Sequence, residues 1–571
     1  MRLRSVAVVV LGGVLGSISF AADVPSSEAL AELERVAGEA EARRLRVEES
    51  FEAARRDVWK IRQSFRAASA AESQAREQLA AATRSASEIE VFKAAVERAI
   101  ANTSAAEAQV HTANKKLEEL GTRLKSTVAD HVEKLRAAQA ALTKAGRFVS
   151  FTGEIAPLLA ARCLSCHGAR VAKGRVDLEN YSAILRGGKD GKIIVRGDPE
   201  SSSLYRSVAD GLMPEQGDLL SDEEISLIGK WIELGAPLDA GVDPQASLVS
   251  ILPRRPQPQP PRTYRTPIPV TALSFSLDGE FLASSGYHEV LLWRVSDGGL
   301  VRRIEDLPQR SYGIDFSPDG ESFVVASGTP GGVGEVTHFR LQDGAVIRRF
   351  LRSSQPIYAA RLSPDGERLA TGGADRIIRV YQVADGRELF RIGDHFDAVM
   401  EVAWSPDGRL LASASLDKNA KVFDMATGFQ VSVYQKSFES KFAGRILSVD
   451  FTPDNQQVVS CGDDENVRLW KASDAELVRA IKNFDGSVLR VISLDDGNVV
   501  SSSADRAVRL HRLADGKELR VLARHRDWVY ALAVHEKSGR VASGSYDGEI
   551  RIGRLDGGGE WLSFVAQPDA K

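Results

Sequence analysis

A chain of 571 residues exceeds one folding unit, and its 43% apolar and 27% charged residues are ample for several cores. The 74 basic and 78 acidic residues leave a net charge of −4, so there is no basic footprint for nucleic acid. Three cysteines cannot build a disulfide framework, which sets aside the small disulfide-stapled class.

The first 21 residues read as an export signal. Arg2 and Arg4 precede an apolar run from Val6 to Phe20, and Ser19-Phe20-Ala21 offers small residues at −3 and −1 for cleavage before Ala22. The alternative is a retained anchor, but the run is short for the roughly 20 residues that cross a bilayer. The mature chain is therefore expected in the periplasm or otherwise outside the cytoplasm, with no membrane span after cleavage.

Residues 27–146 are expected to form a long-helix, coiled-coil region. No proline occurs between Pro25 and Pro157, and Ala, Glu, Arg, Lys and Gln, all strong helix formers, dominate. Phe51, Ala54, Val58, Ile61, Phe65 and Ala68 step by three and four as a heptad seam, and Leu117, Leu120, Leu124, Val128, Leu135 and Leu142 make a looser stripe. Ser87 with Glu90 has the form of a capping box that restarts a helix. Two long helices follow from this, folded back on each other or paired with another chain as an oligomerisation rod. His111 and His131 are expected to be solvated surface residues.

Residues 148–240 change texture to short helices and turns. Cys163-Leu164-Ser165-Cys166-His167 is the C-x-x-C-H string of c-type haem attachment. Two thiols three residues apart on a helical turn reach the two vinyl groups of one porphyrin edge, and the adjacent His turns its imidazole to the iron. A redox C-x-x-C lacks its βαβ setting, and a zinc site lacks two further nearby ligands. Met213, in Gly211-Leu212-Met213-Pro214, is the only methionine between His167 and the linker. It is either core packing or the second axial ligand; a bis-His site through His111 or His131 would need the rod to fold back. Phe151 to Ala161 is read as the helix entering the motif. Asp198-Pro199 is read as the start of a helix at Glu200 to Val208. Ser221 with Glu224 caps a closing helix from Ile225 to Leu234 that stops at Gly235.

Several strings here resemble the planctomycete-type cytochrome c domain: the C-x-x-C-H motif, Arg175-Val176-Asp177-Leu178, Val195-Arg196-Gly197-Asp198-Pro199-Glu200-Ser201, Met213-Pro214, and Trp231-Ile232-Glu233-Leu234-Gly235-Ala236. The resemblance implies a small all-α domain with one covalent haem c, His167 proximal and Met213 distal.

Residues 241–263 are expected to be a proline-rich linker, stiff in the Pro253 to Pro267 stretch, leading into a repeat region at 264–571. Ser276-Leu277-Asp278-Gly279, Ser317-Pro318-Asp319-Gly320, Ser363-Pro364-Asp365-Gly366, Ser405-Pro406-Asp407-Gly408, Thr452-Pro453-Asp454-Asn455 and Leu494-Asp495-Asp496-Gly497 mark successive turns, with Glu536-Lys537-Ser538-Gly539 a degenerate seventh. Each turn sits between apolar strands, and a third strand such as Val467-Arg468-Leu469-Trp470 ends the unit. The repeats resemble the WD40 family, which implies an all-β seven-bladed propeller. In that family a His, an Asp and a Trp brace each blade. His395 with Asp417, and His525 with Asp547, match the first two parts; Trp293 and Trp470 match the third in other blades. Cys461, at an apolar strand end, is expected to be a buried inert thiol.

The expected architecture is multidomain: helical rod, small cytochrome domain, propeller. Its expected role is one-electron transfer by an exported c-type cytochrome without catalytic residues, with a redox partner protein and a second, propeller-bound partner. A haem-based redox or gas sensor and a haem peroxidase are the alternatives; Met213 argues against the peroxidase, which needs a vacant distal side.

Overall fold

The computed structural model describes residues 27–81, 86–168, 173–215, 218–254, 256–330, 332–435 and 444–568. The export signal expected at 1–21 lies outside them, as does the Ser87 side chain of the expected capping box. The chain divides into two compact units between Leu252 and Pro253.

The first unit begins with two long helices, α1 (Ser27–Ala81) and α2 (Ala86–Lys144). They fold back antiparallel: Arg62 donates to Asn114 Oδ1 at 3.4 Å, and Arg43 lies 3.7 Å from Asp130. At about 1.5 Å per residue, α1 is about 80 Å long. Part of the expected seam packs within the chain, where Phe51, Ala54 and Val58 meet Ala113, Leu117 and Leu120. His111 is exposed as expected, but His131 is half-buried, and burial pushes its imidazole below the usual range. It faces α1 rather than water.

Gln139 of α2 clamps the rod to the small domain. Its Nε2 donates to Leu238 O at 2.8 Å, and its Oε1 accepts from Ala240 N at 2.6 Å. The small domain opens with a π turn (Phe151–Ile155) running into α3 (Ala156–Arg162), where Pro157 occupies the first turn. Next come α4 (Leu164–His167), α5 (Tyr181–Arg186), α6 (Ser203–Ala209), α7 (Asp222–Glu233) and α8 (Leu248–Ile251). Phe151, Tyr181 and Trp231 form its aromatic centre, with Phe151 5.6 Å from Trp231 and 5.2 Å from Tyr181. The capping box on α7 forms in both directions: Glu224 N donates to Ser221 Oγ, and Ser221 N to the Glu224 carboxylate. Gly229 of α7 is required by close approach, because a Cβ there would meet the Tyr205 ring at 2.9 Å.

The sixth helix starts later than expected. Asp198 caps a turn by accepting from Ser201 N, while Ser202 stands at the N-cap of α6. Ser202 Oγ instead bonds back to Asp198 O and Val195 O, which ties the preceding loop down.

The second unit is a ring of seven four-stranded antiparallel sheets, each built from consecutive strands. The blades occupy 273–304, 310–353, 357–392, 399–435, 446–481, 488–524 and 529–565. The recurrent turn has a physical cause. Ser317 Oγ accepts from Ser322 N and donates to Asp319, which accepts from Glu321 N, while Gly320 takes φ +75°. Ser276, Ser363, Ser405 and Thr452 repeat this arrangement. Each blade has a fourth, outermost strand that follows the three expected ones.

The proline-rich stretch is not a free spacer. Residues 241–252 pack in the first unit, with Leu248 fully buried and its N–H on Glu179 O. From Arg254 onward the segment is bound to blades 1 and 2. Arg254 Nε donates to buried Glu335 at 2.8 Å and Nη1 to Asp306 at 2.8 Å. Tyr264 Oη donates to Glu289 at 2.6 Å, and Arg303 holds that carboxylate together with the Pro261 carbonyl.

Candidate functional site

Cys163, Cys166 and His167 sit on one turn because α4 closes it: Cys166 N and His167 N both donate to Cys163 O, at 3.2 and 3.0 Å. The turn is then held to the segment that follows. Leu178 N donates to His167 O at 2.7 Å, and His167 Nδ1 lies 3.3 Å from Val176 O. A ring nitrogen bonded to a carbonyl carries its proton there, which leaves Nε2 as the metal-binding nitrogen.

Met213 arrives from the far side of the chain. After α6, Gly211 turns at φ +67°, and Met213 N donates to Ser207 O at 2.9 Å, folding the loop back on its helix. Cys163, Cys166, His167 and Met213 all line one cleft, which encloses about 850 Å³ with its mouth included. Its floor is apolar: Leu178, Ile193 and Val208 are buried there. Neither His111 nor His131 lines it.

The two thiols are not joined in a disulfide. Burial pushes the Cys163 thiol up to about 11, against the pull of neighbouring Arg162 and with a small push from Cys166. At the mouth, Lys173 Nζ donates to Glu215 at 2.9 Å; this bond raises the lysine and lowers the carboxylate from their usual ranges. The donor set fits haem on its own chemistry: two thiols, one oriented imidazole and one thioether, around an apolar floor.

The His and Asp residues of the propeller serve another purpose. His395 donates or accepts on both sides, 2.8 Å from Asp417 Oδ2 and 2.8 Å from Ser413 Oγ. This has the order of a hydrolytic triad, but Ser413 is fully buried and no substrate reaches it. It braces the blade. His525 departs from expectation, for its Nδ1 lies 3.1 Å from Glu549 rather than Asp547, and its Nε2 lies 2.7 Å from Ser543 Oγ. Asp547 instead accepts from Glu549 N. Trp293 and Trp470 donate to Ser284 and Ser460. The serine is thus the shared member that the sequence reading missed. Its signal was present, a Ser recurring in the second strand of six of the seven blades, as in Leu-Ala-Ser-Ser and Ala-Ser-Ala-Ser, with Thr371 in the third blade. Cys461 is buried, and burial raises its thiol well above the usual range.

Residues 163–217 match the planctomycete cytochrome C family. Residues 344–382, 386–424, 433–471 and 516–552 match the WD domain, G-beta repeat. No curated protein matches the chain. The cytochrome C match points to haem binding, and no helix among the described residues is long and apolar enough to cross a membrane. By sequence match and by fold, the chain couples a domain similar to planctomycete cytochrome C to a WD40-repeat propeller of seven blades.

Proposed function

We propose that this chain is an exported c-type cytochrome that transfers single electrons, with its propeller as a protein-interaction platform. Cys163 and Cys166 would hold one haem covalently, and His167 Nε2 and the Met213 thioether would be the donors offered to its iron. When bound, the haem supplies a one-electron iron couple. The protein's residues do the rest. Val176 O fixes the imidazole orientation, Ser207 O holds the Met loop in place, and Leu178, Ile193 and Val208 keep water from the cleft floor. A thioether together with an imidazole would raise the potential of such an iron, which favours electron exchange over substrate chemistry.

The observation that carries this reading is the meeting of Cys163, Cys166, His167 and Met213 on one apolar-floored cleft. The Arg2 and Arg4 start and the Val6 to Phe20 run support export. The rod serves as a spacer or as a contact to a second copy. For the propeller's partner, the exposed Trp528 and Tyr546, linked through Tyr530, offer an aromatic contact face.

The test is an absorption and carbon monoxide-binding spectrum of periplasmically matured protein. Wild type is expected to be low-spin, with the weak far-red sulfur-to-iron band when oxidised, and to retain haem through denaturing electrophoresis. Met213→Ala should lose the band and gain carbon monoxide binding, whereas Cys163→Ser with Cys166→Ser should lose the haem on denaturation. A wild type that is high-spin and takes up carbon monoxide freely overturns the electron-transfer reading in favour of a sensor or peroxidase.

A further inference from the structure

Lys173 and Glu215 both line the cleft that holds Cys163, Cys166, His167 and Met213, and the two segments that carry them are anchored differently. The segment that follows the C-x-x-C-H turn is fixed. Val176 N donates to Lys173 O at 3.2 Å, Lys189 N donates to Gly174 O at 3.4 Å, and Val176 O holds the His167 ring. Gly174 and Arg175 turn the chain there at φ +64° and +58°, and Arg175 adopts that conformation at a cost in backbone strain.

The segment that carries Met213 is held lightly. Leu212 is 65% exposed, and the Met213 side chain packs half-buried on the core of the small domain. Among the described residues, positions 212–215 make two hydrogen bonds. Met213 N donates to Ser207 O, and Lys173 Nζ donates to the Glu215 carboxylate, both at 2.9 Å. The first ties the loop to α6, which leads into it, and so leaves the loop free to move with that helix. The second joins the loop to the fixed side of the mouth, 42 residues earlier in the chain.

We propose that Lys173 and Glu215 are positioning residues that clasp the Met213 loop across the mouth and so keep Met213 on the wall of the cleft. The proposal rests on the electron-transfer reading and concerns what holds the second iron donor in place. Both residues act through Met213, with no bond made or broken and no electron moved. Side chains 46% and 55% exposed make a pair of modest strength. That strength is set against the opening of a short loop and not the unfolding of a domain, so it is enough to shift the loop between held and open. Salt weakens an attraction between solvent-exposed charges.

Carbon monoxide tests the clasp on the reduced, full-length haem protein, since it needs the iron position that Met213 would fill. Lys173→Met and Glu215→Gln should each raise its binding rate about threefold at low salt, the size expected of an exposed ion pair. Lys173→Glu with Glu215→Lys restores the pair with its charges exchanged and should return the rate to that of wild type, a rescue that general damage to the domain would not allow. Salt at about 0.5 M should bring wild type to the rate of Lys173→Met and leave that variant unchanged. Hydrogen exchange at the Met213 amide reads the loop without the iron, and it should quicken in both single variants while the Trp231 amide of α7 is unaffected. Equal rates and equal exchange in wild type and single variants overturn the clasp. A wild type without the far-red sulfur-to-iron band overturns the ligand reading of Met213, and the role of the clasp at the iron falls with it; Met213 exchange then still separates a held loop from a free one.

Discussion

Asp450 accepts N–H bonds from Ser493 of the next blade and from Phe451, both at 2.9 Å, inside the ring. Burial outweighs these donors and pushes its carboxyl up to about 6, from an ordinary 3.8. A raised folded-state value favours the fold fully below about 4, and that contribution is lost as pH rises through 6. Asp450→Asn keeps an acceptor oxygen and cannot ionise. Its NH2 faces one of the two N–H donors, a loss present at every pH, so the expectation is in the difference: from pH 4 to pH 8 the stability of the variant relative to wild type should rise by roughly 2 kcal/mol, in urea melts at the two pH values. At this scale the four residues that meet at the cleft were readable because they are contiguous or rare: C-x-x-C-H is one string, and Met213 has no rival nearby. Val176 O and the Lys173–Glu215 pair were not readable. One is a backbone atom, and the other joins positions 42 residues apart that only the folded loop brings together.

Among elements, α7 is the best specified. Ser221, Glu224 and the stripe of Ile228, Trp231 and Ile232 agree on its start and on its buried face. Ser221→Ala leaves the Glu224 N–H without its acceptor and should cost about 1 kcal/mol. The check is hydrogen exchange, which should quicken in the first turn of α7 while the rod amides are unaffected. The start of α6 misled for a local reason. Asp198-Pro199 has the composition of a helix start, but Ser202 locks that segment as a turn four residues earlier. The outermost blade strands escaped notice because they alternate poorly. Leu300–Ile304 reads LVRRI and Leu477–Ile481 reads LVRAI, where Arg blunts an open sheet edge.

At the scale of the molecule, the division between the two compact units falls at Leu252 and Pro253, inside the proline-rich stretch. A Pro-rich string suggests a spacer, whereas Arg254 within it pairs with Glu335 and Tyr264 donates a hydrogen bond to Glu289, both carboxylates fully buried. Their partners lie 81 and 25 residues away, beyond the reach of local pattern. Arg254→Ala should destabilise the propeller by about 2–3 kcal/mol, because it leaves the buried Glu335 charge only partly paired, with Arg352 at 3.4 Å. Urea denaturation of the full chain measures this, and the Gln257 amide, now on Asp306, should lose exchange protection. An unchanged midpoint would show that the docked segment contributes nothing. Glu401 and its ion partners Arg361 and Arg490 tie blades 3, 4 and 6 across the ring interior, and Arg490 reaches the Tyr312 carbonyl of blade 2. The seam between the last blade and the first is of another kind. Every strand of blade 7 comes from 529–565 and every strand of blade 1 from 273–304, so no strand is exchanged between them. Val270 N on Ser545 O, His535 on Leu277 O and Arg540 on Gly279 O, with the apolar contacts around them, close the circle. Pulled from its C-terminus, such a ring yields one whole blade before its neighbour is disturbed, and tension is released in blade-sized steps.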